Sequence, residues 1–209
     1  MSNQKAATVL KATAKEKVAL SALDAMLASL RFKEYLILGT FVIGSALLRV
    51  PMQALPSVEP ISFFAFLAGW LFGWRKGAAT GALALGASNF LVMGGQGPWT
   101  IFQAAGFAAI GAAGGLMRKR ASLFEVVPMM VIATVFYEVC VNLGSAIFMP
   151  FALPVLFLTA IPFTLIHVGS NLAFAFALPK AKKFVDKKGG FDERRLAEEL
   201  QERLRGKKR

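Results

Sequence analysis

Six apolar segments run through most of the chain, at about 35–50, 60–74, 77–93, 101–117, 127–149 and 154–178, separated by short connections. Apolar runs with so few interior charges predict membrane helices rather than the one-sided stripes of a soluble bundle. The first four fall short of the roughly 20 residues that cross a bilayer comfortably, and 60–74 is short enough to be re-entrant. Six crossings are nevertheless expected. Only that count puts the basic connections, 75–76 and 118–120, on one side and the nearly uncharged ones, 51–59, 94–100 and 150–153, on the other. Four spans would break this alternation.

Outside the six segments the pattern changes. Residues 5–31 place Val9, Leu20, Leu23, Met26, Leu27 and Leu30 among lysines, which predicts an amphipathic helix. Such a helix lies on an anionic leaflet, rests on a cytoplasmic partner, or stands as a loosely held soluble helix. Beyond Pro179 the chain becomes strongly charged, and Asp192–Arg205 reads as a solvated helix with exchangeable i, i+4 pairs. The expected class is an all-α integral membrane protein, a six-helix transmembrane bundle with an N-terminal amphipathic helix and a charged C-terminal helix. Its parts are a cytoplasmic amphipathic segment (1–34), a six-span membrane domain (35–178) and a charged cytoplasmic tail (179–209).

Composition agrees with this class, at 56% apolar and 17% charged residues, with a mean hydropathy of +0.57. A net charge of +12 raises the question of nucleic acid, and its distribution answers it. The excess basic charge sits at both ends and in every second connection, +3 in 1–34, +2 at 75–76, +3 at 118–120 and +6 in 180–209. That is the positive-inside pattern of a chain with both termini in the cytoplasm. No nucleic-acid partner is expected. A cleavable signal peptide is not expected either, because Lys5, Lys11, Lys15, Lys17, Arg31 and Lys33 interrupt the first 34 residues. One cysteine and one histidine exclude an internal disulfide and any Cys- or His-rich metal site.

Glycines recur every four residues at Gly69, Gly73, Gly77 and Gly81, and again at Gly111 and Gly115. Small residues at this spacing let helix backbones approach closely in lipid, either inside the chain or against a partner. The loop GGQGPWT, with Gly95, Gln96 and Trp99, combines glycines free to take positive φ, a proline suited to open the next helix, and an interfacial tryptophan.

Topology converts scattered polar residues into a constellation. Glu138 falls near mid-membrane with Asn142 one turn outward, and His167 lies at similar depth on the last span between Thr164 and Asn171. Asn89, Gln103 and Glu59, with Arg49, lie at the outer rim. An intramembrane carboxylate and imidazole form either a helix-tying pair or part of a site. The further polar groups on the outer side favour a pocket open to the outside. No phosphate loop of the G-x-x-x-x-G-K-[ST] type and no G-x-S-x-G occur.

The segments VEPISFFAFLAGWLFG, ASNFLVMGGQGPWT and FQAAGFAAIGAAGG, set among six short spans, resemble the substrate-binding S components of energy-coupling factor (ECF) vitamin transporters. The likeness covers roughly residues 35–178 and is nearest to the branch linked to cobalamin or related compounds. It implies a subunit without enzyme activity or cofactor in the plasma membrane of a prokaryote. That subunit takes a vitamin from outside and delivers it with a T component and two cytoplasmic ATPases. Substrate contacts are expected from Glu59, Asn89, Gly95, Gln96, Trp99, Gln103, Glu138, Asn142 and His167. T-component docking is expected at Thr40 and Gly44, small residues four apart on the first span. The rival expectation is a small membrane enzyme using Glu138 and His167 as acid and base on a lipid-borne substrate; a purely structural scaffold is the third.

Overall fold

A computed structural model of the chain describes residues 2–148, 153–189 and 191; the side chains of residues 2–16 and of Val18, Ala19 and Ala22 lie outside that description. The apolar segments form six helices: α1 (Ser2–Met52), α2 (Pro60–Phe72), α3 (Trp74–Ser88), α4 (Thr100–Gly115), α5 (Leu123–Phe148) and α6 (Leu153–Gly189). Three stretches, Leu23–Met52 of α1 and the whole of α5 and α6, are long and apolar enough to cross a membrane. α2 and α4 are apolar but have only 13 and 16 residues, about 20 and 24 Å at 1.5 Å per residue. That is less than the roughly 30 Å of a hydrocarbon core.

The chain divides into two compact units, Met1–Leu36 with Val185–Arg209, and Ile37–Phe184. In the first, Leu23, Met26 and Leu30 are partly buried at helical spacing, whereas Leu20 and Leu27 are exposed. The Phe191 N–H donates to the Asp186 carbonyl at 3.1 Å. The expected helix at Asp192–Arg205 and the side chain of Val9 lie outside what is described.

The second unit is built around backbone contact. α2, α3 and α4 pack closest, α5 lies on α4, and α1 and α6 stand further from their neighbours. A methyl group built on Gly69 or Gly77 collides with the Gly111 carbonyl, and one on Gly81 with the Phe107 carbonyl. Gly114 and Gly115 meet the main chain of Phe66 and Trp74 in the same way. The four-residue glycine period is therefore used for packing inside the chain, with one exception. Gly73 takes φ +95° and its N–H bonds the Gly69 carbonyl at 2.8 Å, which ends α2 and starts α3 within one residue.

That corner shifts two expectations. Arg75 and Lys76 occupy the first turn of α3, not a connection, and α3 stops at Ser88, five residues before the apolar run does. α6 continues through Pro179 to Gly189, so the switch from apolar to charged sequence does not end the helix. Around the core the large apolar side chains of α5 and α6, including Ile132, Phe136, Leu158 and Leu165, are exposed while Thr134, His167 and Asn171 are buried. This arrangement suits hydrocarbon surroundings.

The seam predicts opposite outcomes for two similar substitutions. Gly111→Ala meets main-chain atoms that cannot swing aside and should cost about 1–3 kcal/mol, as overpacking does. Gly86→Ala, on α3 with open space beside it, should be neutral or slightly stabilising. Thermal unfolding of the two purified variants in detergent compares them directly; equal melting would mean that the seam yields.

Candidate functional site

At one end of the second unit the chain joins four elements through Arg49, in the last turn of α1. Its guanidinium donates to Ser88 Oγ at 2.9 Å and to Asn89 Oδ1 at 2.6 Å, beside the C-terminus of α3. It also donates to Glu59 Oε1 at 3.3 Å, just before α2. Arg49 Nε lies 3.0 Å from Glu59 Oε2, an ion-pair contact off the line of a hydrogen bond. Asn89 Nδ2 continues the chain to Thr100 Oγ1 at 3.3 Å, and that oxygen accepts the Gly97 N–H at 3.0 Å. Both charged side chains are mostly buried, at 13% and 16% exposure, so each needs the other.

Beside this network lies a cleft of about 300 Å³ between the α1–α2 loop and Val92 and Met93, with Arg49, Gln53 and Glu59 among its polar walls. Ser57 in that wall has φ +61°, the one non-glycine residue in the left-handed region among the described residues. Strain of that kind persists where the surroundings fix it, frequently at binding sites. Gln53 Oε1 accepts the Met93 N–H at 2.8 Å and ties the two loops across the cleft.

A second polar group is buried between α2, α5 and α6. His167 Nδ1 stands 2.6 Å from Glu138 Oε1, and Nε2 stands 3.2 Å from Ser62 Oγ. In the neutral imidazole the carboxylate accepts from Nδ1–H and Nε2 accepts the Ser62 hydroxyl. Thr164 Oγ1 donates to Glu138 Oε2 at 3.3 Å. The Tyr137 ring meets the imidazole edge-on at 5.0 Å. One turn beyond, Asn171 Nδ2 donates to Thr134 Oγ1 at 2.8 Å, while its Oδ1 has no partner. Serine, histidine and carboxylate in this order are the contacts of a hydrolase triad. Here Ser62 is wholly buried and His167 is 1% exposed, so in this conformation a substrate carbonyl has no route to Oγ.

The expected site residues thus separate. Glu59 and Asn89 join the rim network, and of the nine only Glu59 also lines the cleft. Gly95, at φ +52°, and Gln96, whose amide donates to the Gly86 carbonyl at 2.7 Å, shape the α3–α4 loop. Trp99 lays its ring against Gly97, where a Cβ would collide with the indole, and stays 42% exposed. Pro98 lies in the turn before α4 and does not open the helix. Gln103 sits in the first turn of α4 with a buried, unpartnered Oε1. Asn142 bonds the Glu138 carbonyl of its own helix at 2.8 Å. Sequence reasoning missed Ser62, Ser88 and Thr100; the proline opening α2, which sets Ser62 in its first turn, was the available signal for the first.

No protein-family model, curated protein or solved structure matches the chain.

The buried group predicts a specific stability pattern. Ser62→Ala and Glu138→Gln each weaken a bond to the same ring and should cost about 1–3 kcal/mol. The double variant should lose less than the sum, because both act through His167. Detergent melting curves of the three variants, without added ligand, measure this; strict additivity would mean that the imidazole does not couple the two.

Proposed function

We propose that the chain is the membrane-embedded substrate-binding subunit of an ECF-type importer. In this reading all six helices cross the membrane, both termini are cytoplasmic, and the cleft at Arg49–Glu59 faces outward in a prokaryotic plasma membrane. The observation that carries it is the cleft itself. A buried ion pair, a strained serine and two tied loops converge on a space of about 300 Å³, at the lower end of small-ligand sites. A space of that size favours a compact vitamin; a cobalamin-sized ligand requires the loops at 53–59 and 90–99 to part. Trp99, Gln96 and Gln103 would then close over the ligand from the α3–α4 side. Short helices are compatible with crossing where the bilayer thins locally.

Partners follow from the same reading. A T component and two ATPases would supply the energy, and Thr40 and Gly44 on α1 would meet the T component. Open space beside Gly44 leaves room for a helix to approach. The enzyme alternative needs Glu138 and His167 to reach a substrate, and the burial of His167 against Tyr137 and Ser62 disfavours it.

Native mass spectrometry of the detergent-purified chain should reveal a retained small molecule, and calorimetry should give its affinity. Glu59→Gln should weaken binding about ten- to a hundredfold, the effect of leaving one buried polar partner unmatched, and Gln53→Ala, which unties an exposed hydrogen bond across the cleft, should weaken it by less. Parental affinity in both variants would move the ligand away from this cleft. For topology, cysteines at Ser57 or Gln96 should react with an impermeant thiol reagent on intact cells and one at Lys119 should not. The reverse labelling would turn the cleft to the cytoplasm.

A further inference from the structure

We propose that the corner where α2 meets α3, with the α4–α5 turn and the Lys182 region of α6, binds the headgroup of an anionic phospholipid. The corner is organised by Trp70, which is 6% exposed. Its indole N–H donates to the Arg118 carbonyl at 2.8 Å, and Lys182 Nζ stands 5.7 Å from its ring centroid. One side chain therefore holds the end of α2, the α4–α5 turn and α6 together. Trp74 follows on the other side of Gly73, against Gly115, with the Arg75 guanidinium 5.2 Å over its ring.

Charge at this corner is one-sided. Residues 75–76, 118–120 and 180–183 bring eight cations. Two carboxylates lie near them: Glu125, bonded to Arg118 and capping the start of α5 by accepting the Ser122 N–H at 2.9 Å, and Asp186, one turn beyond Lys182 on α6. The other carboxylates of this unit, Glu59 and Glu138, are held by Arg49 and His167. The field at the corner therefore remains strongly positive and attracts an anion.

Apolar exposure identifies what kind of anion. Trp74 is 53% exposed, Leu116 69% and Phe124 92%, each within four positions of Arg75, Arg118 or Arg120 along the chain. Free phosphate would satisfy the cations and leave these side chains bare. A phosphodiester joined to acyl chains covers both, with its headgroup on Arg75, Arg120 and Lys183 and its chains along the exposed apolar surface. The inference depends on the membrane character of the chain and not on transport, so ligand binding at the Arg49–Glu59 cleft stands or falls separately.

The test titrates the full chain in detergent micelles with fluorescent phosphatidylglycerol, using phosphatidylcholine and inorganic phosphate as competitors. Phosphatidylglycerol should bind about tenfold or more tightly than phosphatidylcholine, since each nearby Lys or Arg contributes severalfold, and inorganic phosphate should not displace it. The variant Arg75→Gln/Arg120→Gln/Lys183→Gln should lose that preference while keeping the parental melting temperature in lipid-free micelles. If the triple variant does not fold, Arg75→Gln and Arg120→Gln singly should each lower the preference about fivefold. Equal binding of the two lipids, displacement by phosphate, or unchanged single variants would overturn the proposal.

Discussion

The fold depends on one constraint, that the main chains of α2, α3 and α4 touch with no side chain between them. Gly69, Gly77, Gly81, Gly111, Gly114 and Gly115 provide the contact, and α5 then closes over α4 with Tyr137 against Gly106. In lipid, burying apolar surface gives little drive for helices to associate, so attraction must come from close atomic contact and from polar pairs. This chain uses the two in different places. Three short helices take the first route; α6, set further out, is joined by Glu138–His167, Thr134–Asn171 and the ring contact of Phe63 with Phe174 at 5.9 Å.

From that division follows the placing of chemistry. The glycine-packed core is too tight to enclose a ligand, so the cleft forms where the connections begin, at 53–59 and 90–93. Arg49 supports those connections from beneath. Its guanidinium joins the ends of α1 and α3 to the residue that precedes α2, and Asn89 carries the tie on to α4. The opposite end has Trp70 in the equivalent position, with an indole N–H and a ring face in place of a charge.

Much of this was legible in the sequence because a membrane simplifies the code. Apolar runs gave helices, glycine intervals gave packing, and depth brought Glu138 and His167 to the same level before any contact was known. Boundaries were less legible. Gly73 turns the chain in a single residue, so two helices meet where a longer basic connection was expected. The cleft was harder still. The glycines and tryptophan of GGQGPWT mark it as a contact loop, yet Gly97 serves to admit the Trp99 ring and the cavity lies against Val92 and Met93 instead. Ser62 is marked in the sequence only by the proline that opens its helix, and only the fold brings it to an imidazole 105 positions later.

The buried imidazole also limits how this sequence can change over time. His167 has a carboxylate on one nitrogen and a hydroxyl on the other, and all three side chains come from different helices. Replacing any one alone strands a polar atom where neither water nor lipid can answer it. Substitution at Ser62, Glu138 and His167 is therefore tolerated chiefly as a set, for example when all three become apolar together. Chains descended from a common ancestor should change at these positions jointly, while the exposed residues around them drift one at a time.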